Sequence, residues 1–130
     1  MTGAAGKTTI DATNSFSPRP EGFNSLAEYV KSLLGGPTAK SFSLNFGSVY
    51  DSVGREQVAP SNLFAADPEA RQVTERLNRD AGFDPVYVGD LSKARLIEDQ
   101  LPVLFLVAQN ADGPVFYRYS KPGGLTLRRP

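Results

Sequence analysis

The sequence predicts an α/β fold, a single domain with a sheet of mixed strand directions flanked by helices. Three observations carry this. Residues 62–98 read as strand, helix, strand and the start of a second helix. Elsewhere short β-rich runs alternate with runs that repeat at the helical period. The 130 residues suffice for one domain and one modest core.

Residues 1–6 are small and flexible in composition. With Thr8 they make Gly-Ala-Ala-Gly-Lys-Thr, which invites a phosphate-loop reading. That loop needs Gly-x-x-x-x-Gly-Lys-Thr between a strand and a helix. Its first glycine would fall on Met1, and β-like sequence follows, so the reading is rejected. Residues 7–13 are rich in β-branched side chains and predict a strand. Ser15, Ser17, Pro18 and Pro20 make the loop after it. Ser25 and Glu28 fit a capping box, each satisfying the other's orphan amide, at the start of a helix over 25–34. Leu26, Tyr29, Val30, Leu33 and Leu34 form its apolar stripe, and Gly35-Gly36-Pro37 stops it.

Residues 40–46 alternate, with Phe42, Leu44 and Phe46 on one side, and predict a half-buried strand. Residues 47–60 predict a loop with one helical turn around 49–53. A strand over 62–66 leads to Asp67, whose carboxylate suits the N-cap of a helix over 68–81. Pro68 stands at the first helical position, and Gly82 ends the helix in a left-handed turn. A strand over 84–88 and a helix over 91–109 follow. Pro102 should kink that helix or split it. Arg95 and Glu98 are spaced to form a surface ion pair. Residues 115–119 predict an aromatic strand, and residues 120–130 a loose tail. Arg118, Lys121, Arg128 and Arg129 face only Asp112 there, which suggests a solvated basic end.

Fourteen basic and fourteen acidic residues cancel, so no global field draws in nucleic acid. The chain has no His and no Cys. That removes imidazole bases, thiolate nucleophiles, disulfides and nearly all zinc sites, and no metal site is expected. No run approaches the ~20 apolar residues that span a bilayer, and no signal-peptide pattern is present, so a cytoplasmic location is the expectation.

Several of these pieces together resemble the C-terminal part of the coenzyme-F420-dependent NADP oxidoreductase-like family of dinucleotide-binding proteins. They are Ala66-Asp67, Gly82-Phe83-Asp84-Pro85-Val86, Gly89-Asp90-Leu91, Ala94-Arg95 and Glu98. Upstream, Gly6, Lys7, Ile10, Asp11, Ala12, Thr13 and Asn14 match the family's Gly-Lys-x-x-Ile-Asp-Ala-Thr-Asn, and Lys40 and Phe42 match its Lys-x-Phe-Asn. Ser43 stands where that motif has Asn. The resemblance implies a partial Rossmann-like sheet that lacks the N-terminal mononucleotide half. It implies NADP as cofactor, with coenzyme F420 as the hydride partner that the family name carries. It also implies that Thr13, Asn14 and Ser43 contact the cofactor. Thr13 and Asn14 end a strand, where ligands sit in open α/β sheets. The residues alone leave a second reading open, in which Asn14 only caps a turn.

No Gly-x-Gly-x-x-Gly occurs in the sequence, and a dinucleotide site needs that turn for its pyrophosphate. Two functions from different classes therefore stand. One is part of an oxidoreductase that lines the nicotinamide and substrate side and needs a separate glycine-rich half. The other is a non-catalytic truncated module that acts in self-association or partner binding. Either way, a partner or second copy is expected at the sheet edge beside residues 7–13.

Overall fold

The structure, a computed structural model, describes residues 3, 5–14 and 18–125. Met1, Thr2 and Ala4 of the segment expected to be flexible lie outside the described residues. So do Ser15 and Ser17 of the first loop, and residues 126–130 of the expected tail, with Arg128 and Arg129.

Four strands form one sheet in the order β1 (Thr9–Asp11), β2 (Thr38–Lys40), β3 (Ser61–Ala66), β4 (Asp84–Gly89). β1 and β2 run parallel, β2 and β3 antiparallel, and β3 and β4 parallel, as a mixed sheet requires. Helix α1 (Leu26–Leu34) links β1 to β2, and α2 (Pro68–Asp80) links β3 to β4. A short 3-10 turn, Leu91–Lys93, leads into α3 (Ala94–Asn110). Among the described residues no helix is long and apolar enough to cross a membrane.

The alternation along β3 sorts the core into two layers. Ala65, with Leu63, faces α1 and α3 and packs with Ala27, Ile97, Leu101 and Leu104. Phe64 and Ala66 face α2 and pack with Ala39 and Ala70. Small residues on β2 and β3 let the helices lie close on both sides, and they explain why so short a sheet supports three layers.

Several expectations are corrected. The strand predicted over 7–13 shrinks to Thr9–Asp11, since β2, its only strand neighbour among the described residues, is three residues long. The strand predicted over 40–46 stops at Lys40, because β3 pairs only with Ala39 and Lys40. Phe42 then turns left-handed, φ +62°. Phe42, Leu44 and Phe46 go to three different places: Phe42 against Phe83, Leu44 into the core and Phe46 against Phe105. The helical turn expected around 49–53 is a longer 3-10 helix, Gly47–Arg55. Residues 115–119 join no sheet ladder: β2 pairs with β3 only at Ala65 and Ala66, and residues 115–119 meet the Ser61 end of β3 through one backbone bond and through side-chain bonds of Tyr117 Oη and Ser61 Oγ. They reach it through Ser61 N–H, which donates to the Tyr117 carbonyl at 2.8 Å.

The polar expectations shift too. Asp67 precedes α2, yet its carboxylate accepts from Lys31 Nζ (2.6 Å) and the Thr38 amide (2.9 Å) instead of the α2 amides. A charged donor on a neighbouring helix outcompetes the local cap. Half of the capping box forms, with Ser25 Oγ accepting from the Glu28 amide. The Glu28 carboxylate, however, takes the Ser25 hydroxyl. Pro102 does not split α3; the helix is held on both sides of it by the buried Leu101 and Leu104. Arg118 is no solvated charge, for it pairs with Asp84 at 2.6 Å. Arg95 pairs with Asp99, not Glu98. Glu98 turns inward, onto Lys40.

Lys40 is 0 % exposed. Its ammonium sits 3.0 Å from Asp11 and 3.3 Å from Glu98. Removing it leaves the buried Asp11 carboxylate without a counter-ion and takes from Glu98 one of its two cations, so Lys40→Ala should cost about 3–5 kcal/mol in urea unfolding. Arg79→Ala removes an exposed partner of Glu75 and should cost under about 1 kcal/mol. Equal losses would show that the buried pair is not special.

Candidate functional site

The carboxyl ends of β1 and β2 lie side by side, with Asp11 opposite Lys40. Asp11 is buried, and its Oδ1 accepts both from the Thr13 amide (2.9 Å) and from the Thr13 hydroxyl (2.6 Å). Lys40 Nζ donates to the Thr13 carbonyl at 2.5 Å. Thr13 is thus fixed at three points, and it holds the exposed Asn14 over the loop after β2. Asn14 Nδ2 donates to the Ser43 carbonyl at 2.8 Å. The structure therefore brings Thr13, Asn14 and Ser43 together at one strand end. It also shows that the Thr13 hydroxyl donates its hydrogen to Asp11.

The loop carrying Ser43 is held firmly. Tyr50 Oη donates to the Phe42 carbonyl at 3.1 Å, and Phe83 stacks edge-on against both Phe42 and Tyr50. Burial pushes the Tyr50 phenol above its ordinary pKa. The left-handed φ of Phe42 is strained for a non-glycine residue, and these contacts keep it in place. Ser43 is 5 % exposed, and its Oγ has no partner among the described residues.

Behind the loop runs a buried polar chain. Asn45 Nδ2 lies within hydrogen-bond distance of the Ser61 carbonyl, Asn62 Oδ1 and Tyr117 Oη. Asn62 donates to Asn78 at 2.5 Å, and Asn78 donates to Ser41 Oγ and to the Thr74 carbonyl. The Leu63 amide donates to Tyr117 Oη at 3.0 Å. Asn45 Oδ1 is left without a partner among the described residues. Burial raises the Tyr117 pKa well above the ordinary phenol value, against the lowering effect of the Leu63 amide. On the outer side of Glu98, Arg19 donates to Glu98 at 3.1 Å and to Asp99 at 2.6 Å. The Asp99 hydrogen bond holds the guanidinium pKa up, and the same bond holds the Asp99 carboxyl below its usual range.

Asp11, Lys40, Asn45 and Glu98 are the residues that sequence reasoning did not assign to the site. Asp11 and Lys40 are 29 positions apart, so no local spacing links them. The available signal was a charged residue inside each of two predicted strands, which a sheet buries only in pairs. The arrangement can bind and orient polar groups. Lys40 is committed to internal bonds with Asp11, Glu98 and the Thr13 carbonyl and offers a ligand no free proton, while the buried Tyr117 Oη accepts from the Leu63 amide and from Asn45 Nδ2. Among the described residues no group of three or more Asp or Glu stands placed to hold a metal.

No known family profile matches the sequence, and no curated protein matches it. Solved structures do. The chain is similar in fold to a "putative F420 dependent NADP-reductase" from Arthrobacter sp. FB24, with 22 % identity and a TM-score of 0.73 over 91 % of this chain. It spans 59 % of that protein's length. It is also similar to the hypothetical protein SMa0349 of Sinorhizobium meliloti, with 24 % identity and a TM-score of 0.59, covering 71 % of this chain and 49 % of that one. At these identities the likeness establishes the fold, a partial Rossmann-like α/β arrangement.

The Tyr117 shift has a pH consequence. A phenol whose folded pKa is raised stabilises the fold below its unfolded value near 10, and that stability is lost as pH rises through the folded value. Stability should therefore fall above about pH 10, with Tyr117 and the more weakly buried Tyr50 both contributing to the loss. Tyr117→Phe should abolish the Tyr117 component of the alkaline slope in pH-dependent urea unfolding. An unchanged slope in the variant would assign the effect elsewhere.

Proposed function

We propose that this chain forms the nicotinamide-side and substrate-side wall of an NADP-dependent oxidoreductase of the F420-dependent type. One observation carries the reading. Asn14 anchors on the Ser43 backbone at the carboxyl end of a parallel strand pair, where α/β folds of this kind hold their ligands. The fold likeness over 91 % of the chain supports it.

The residues present fit one end of the cofactor. A nicotinamide carries a carboxamide, which both donates and accepts. The buried Ser43 hydroxyl can do the same and has no partner among the described residues. Nothing in these 130 residues fits the pyrophosphate, which calls for Gly-x-Gly-x-x-Gly at a helix N-terminus. In this reading a glycine-rich half on other polypeptide holds it and joins at the free edge of β1, the end strand of the sheet. NADP, when bound, supplies the hydride chemistry. The chain's own residues orient and shield. Asp11 and Lys40 fix Thr13, Thr13 sets Asn14, and the aromatic group of Phe42, Tyr50 and Phe83 keeps the Ser43 loop rigid. The reading as a non-catalytic association module draws on a different feature, the exposed apolar side of α3.

Calorimetric titration of the chain with NADPH tests this. A few hydrogen bonds at about 1 kcal/mol each barely offset an association cost of at least about 4 kcal/mol. The expected affinity for the chain alone is therefore no better than about millimolar. Supplying a glycine-rich half in trans should restore binding, and Asn14→Ala should then weaken turnover more than stability. Micromolar affinity of the chain alone would overturn the placement of the site.

A further inference from the structure

From Gln100 to Asn110, helix α3 carries no charged residue. Leu101, Leu104 and Ala108 face the core, yet Leu96, Val103, Leu106 and Val107 are 59, 49, 58 and 49 % exposed. A helix that is apolar on every side is a buried helix. Leu96, Gln100, Val103 and Val107 are spaced four, three and four apart and so form one stripe. That stripe borders two cavities, of about 280 and about 140 Å³, which share Leu63, Gln100 and Tyr119. Val86 and Val88 of β4 line the larger one. The result is an apolar groove along α3, with Leu106 standing as a ridge beside it.

We infer that this face is the interface of a two-fold homodimer of this chain, with the two α3 helices packed antiparallel. Four features select a second copy as the occupant. The first is area. The four α3 side chains and Tyr119, itself 54 % exposed, leave on the order of 500 Å² of surface open, the size of the largest apolar patch on a monomer, which is often a functional one. That is a large part of the roughly 800 Å² per partner in a standard interface. The second is charge. Arg95 and Asp99 lie near the start of the stripe and pair with each other, while Gln109 and Asn110 end it. Antiparallel packing lays the charged end against the amide end, so like charges do not meet, and it opposes the two helix dipoles.

The third is shape, since a groove and a ridge on one element give the self-complementarity that an isologous interface requires. The fourth is position. The face lies over β3 and β4, whereas polypeptide that continues the sheet at β1 would join the opposite edge and leave it open. No cofactor enters this argument, so it stands or falls separately from the oxidoreductase reading.

Sedimentation velocity of the 130-residue chain, from low to high micromolar concentration, should show a concentration-dependent dimer. Leu106→Arg should raise its dissociation constant by about tenfold or more with an unchanged circular dichroism spectrum. The chain has no Cys, which permits a second measurement on a folded background. Val103→Cys should be joined into a covalent dimer by a short bis-maleimide at low micromolar concentration, and Lys7→Cys, beside β1, should not. A monomer at every concentration would overturn the inference and leave the face to a different chain. Crosslinking at Lys7→Cys but not at Val103→Cys would overturn it in favour of the β1 edge.

Discussion

The structure depends on one buried cation. Lys40 has no exposed surface and stands between Asp11 on β1 and Glu98 on α3. Burying a charge is costly unless it is paired and hydrogen-bonded. Here the pairing reaches in every direction from the strand. Lys40 also donates to the Thr13 carbonyl, and Glu98 accepts from Arg19 and from the amides of Leu26 and Ala27 at the start of α1. One ammonium therefore connects β1, β2, α1, α3 and the loop that carries the candidate site.

The formal charges along this line cancel, three against three. Asp11, Lys40, Glu98 and Arg19 alternate in sign, and Asp99 and Arg95 extend the alternation to the surface. Glu98 gains further from the positive end of α1, whose first-turn amides have no partners inside the helix. This explains why the capping box of α1 is only half formed. A distant carboxylate supplies what the local pattern was expected to supply, and it ties the helix to the sheet at the same time. Such a network adds less to stability than apolar packing of equal volume. What it adds is a unique geometry, since each partner has a single place to go.

The consequence for the site is mechanical. Thr13 is held by a carboxylate and an ammonium, Asn14 follows from it, and Ser43 sits under Asn14 on a loop braced by aromatic rings and backed by the asparagine chain. The polar site and the apolar face of α3 use different parts of the fold. The first lies at the strand ends of β1 and β2, and the second over β3 and β4. A ligand at the first and a second copy at the second would therefore not compete for the same surface.

Local signals determined much by themselves. Asp67-Pro68 and Gly82 bounded α2 to within a residue, because proline and glycine act through their own backbone preferences. The strand–helix–strand of residues 61–89 was legible in composition and capping residues, but the stripe expected on α1 is corrected: Leu33 is 64 % exposed, and the residue the helix buries is Ala27, because the small side chain lets the helix lie close on the sheet. The motif around Thr13 and Asn14 placed both residues just after a strand, and they do follow β1 directly. Only the tertiary structure decided where Lys40, Glu98 and Asp67 put their charges, since each has a partner dozens of positions away. It also decided that 42–46 and 115–119 are not strands. Alternation shows that side chains will be buried on one side, but a strand needs a neighbour with free backbone groups. β2 reaches β3 only at Ala65 and Ala66, so 42–46 run past the pairing, and 115–119 meet β3 at Ser61 without forming a ladder; no local pattern records either.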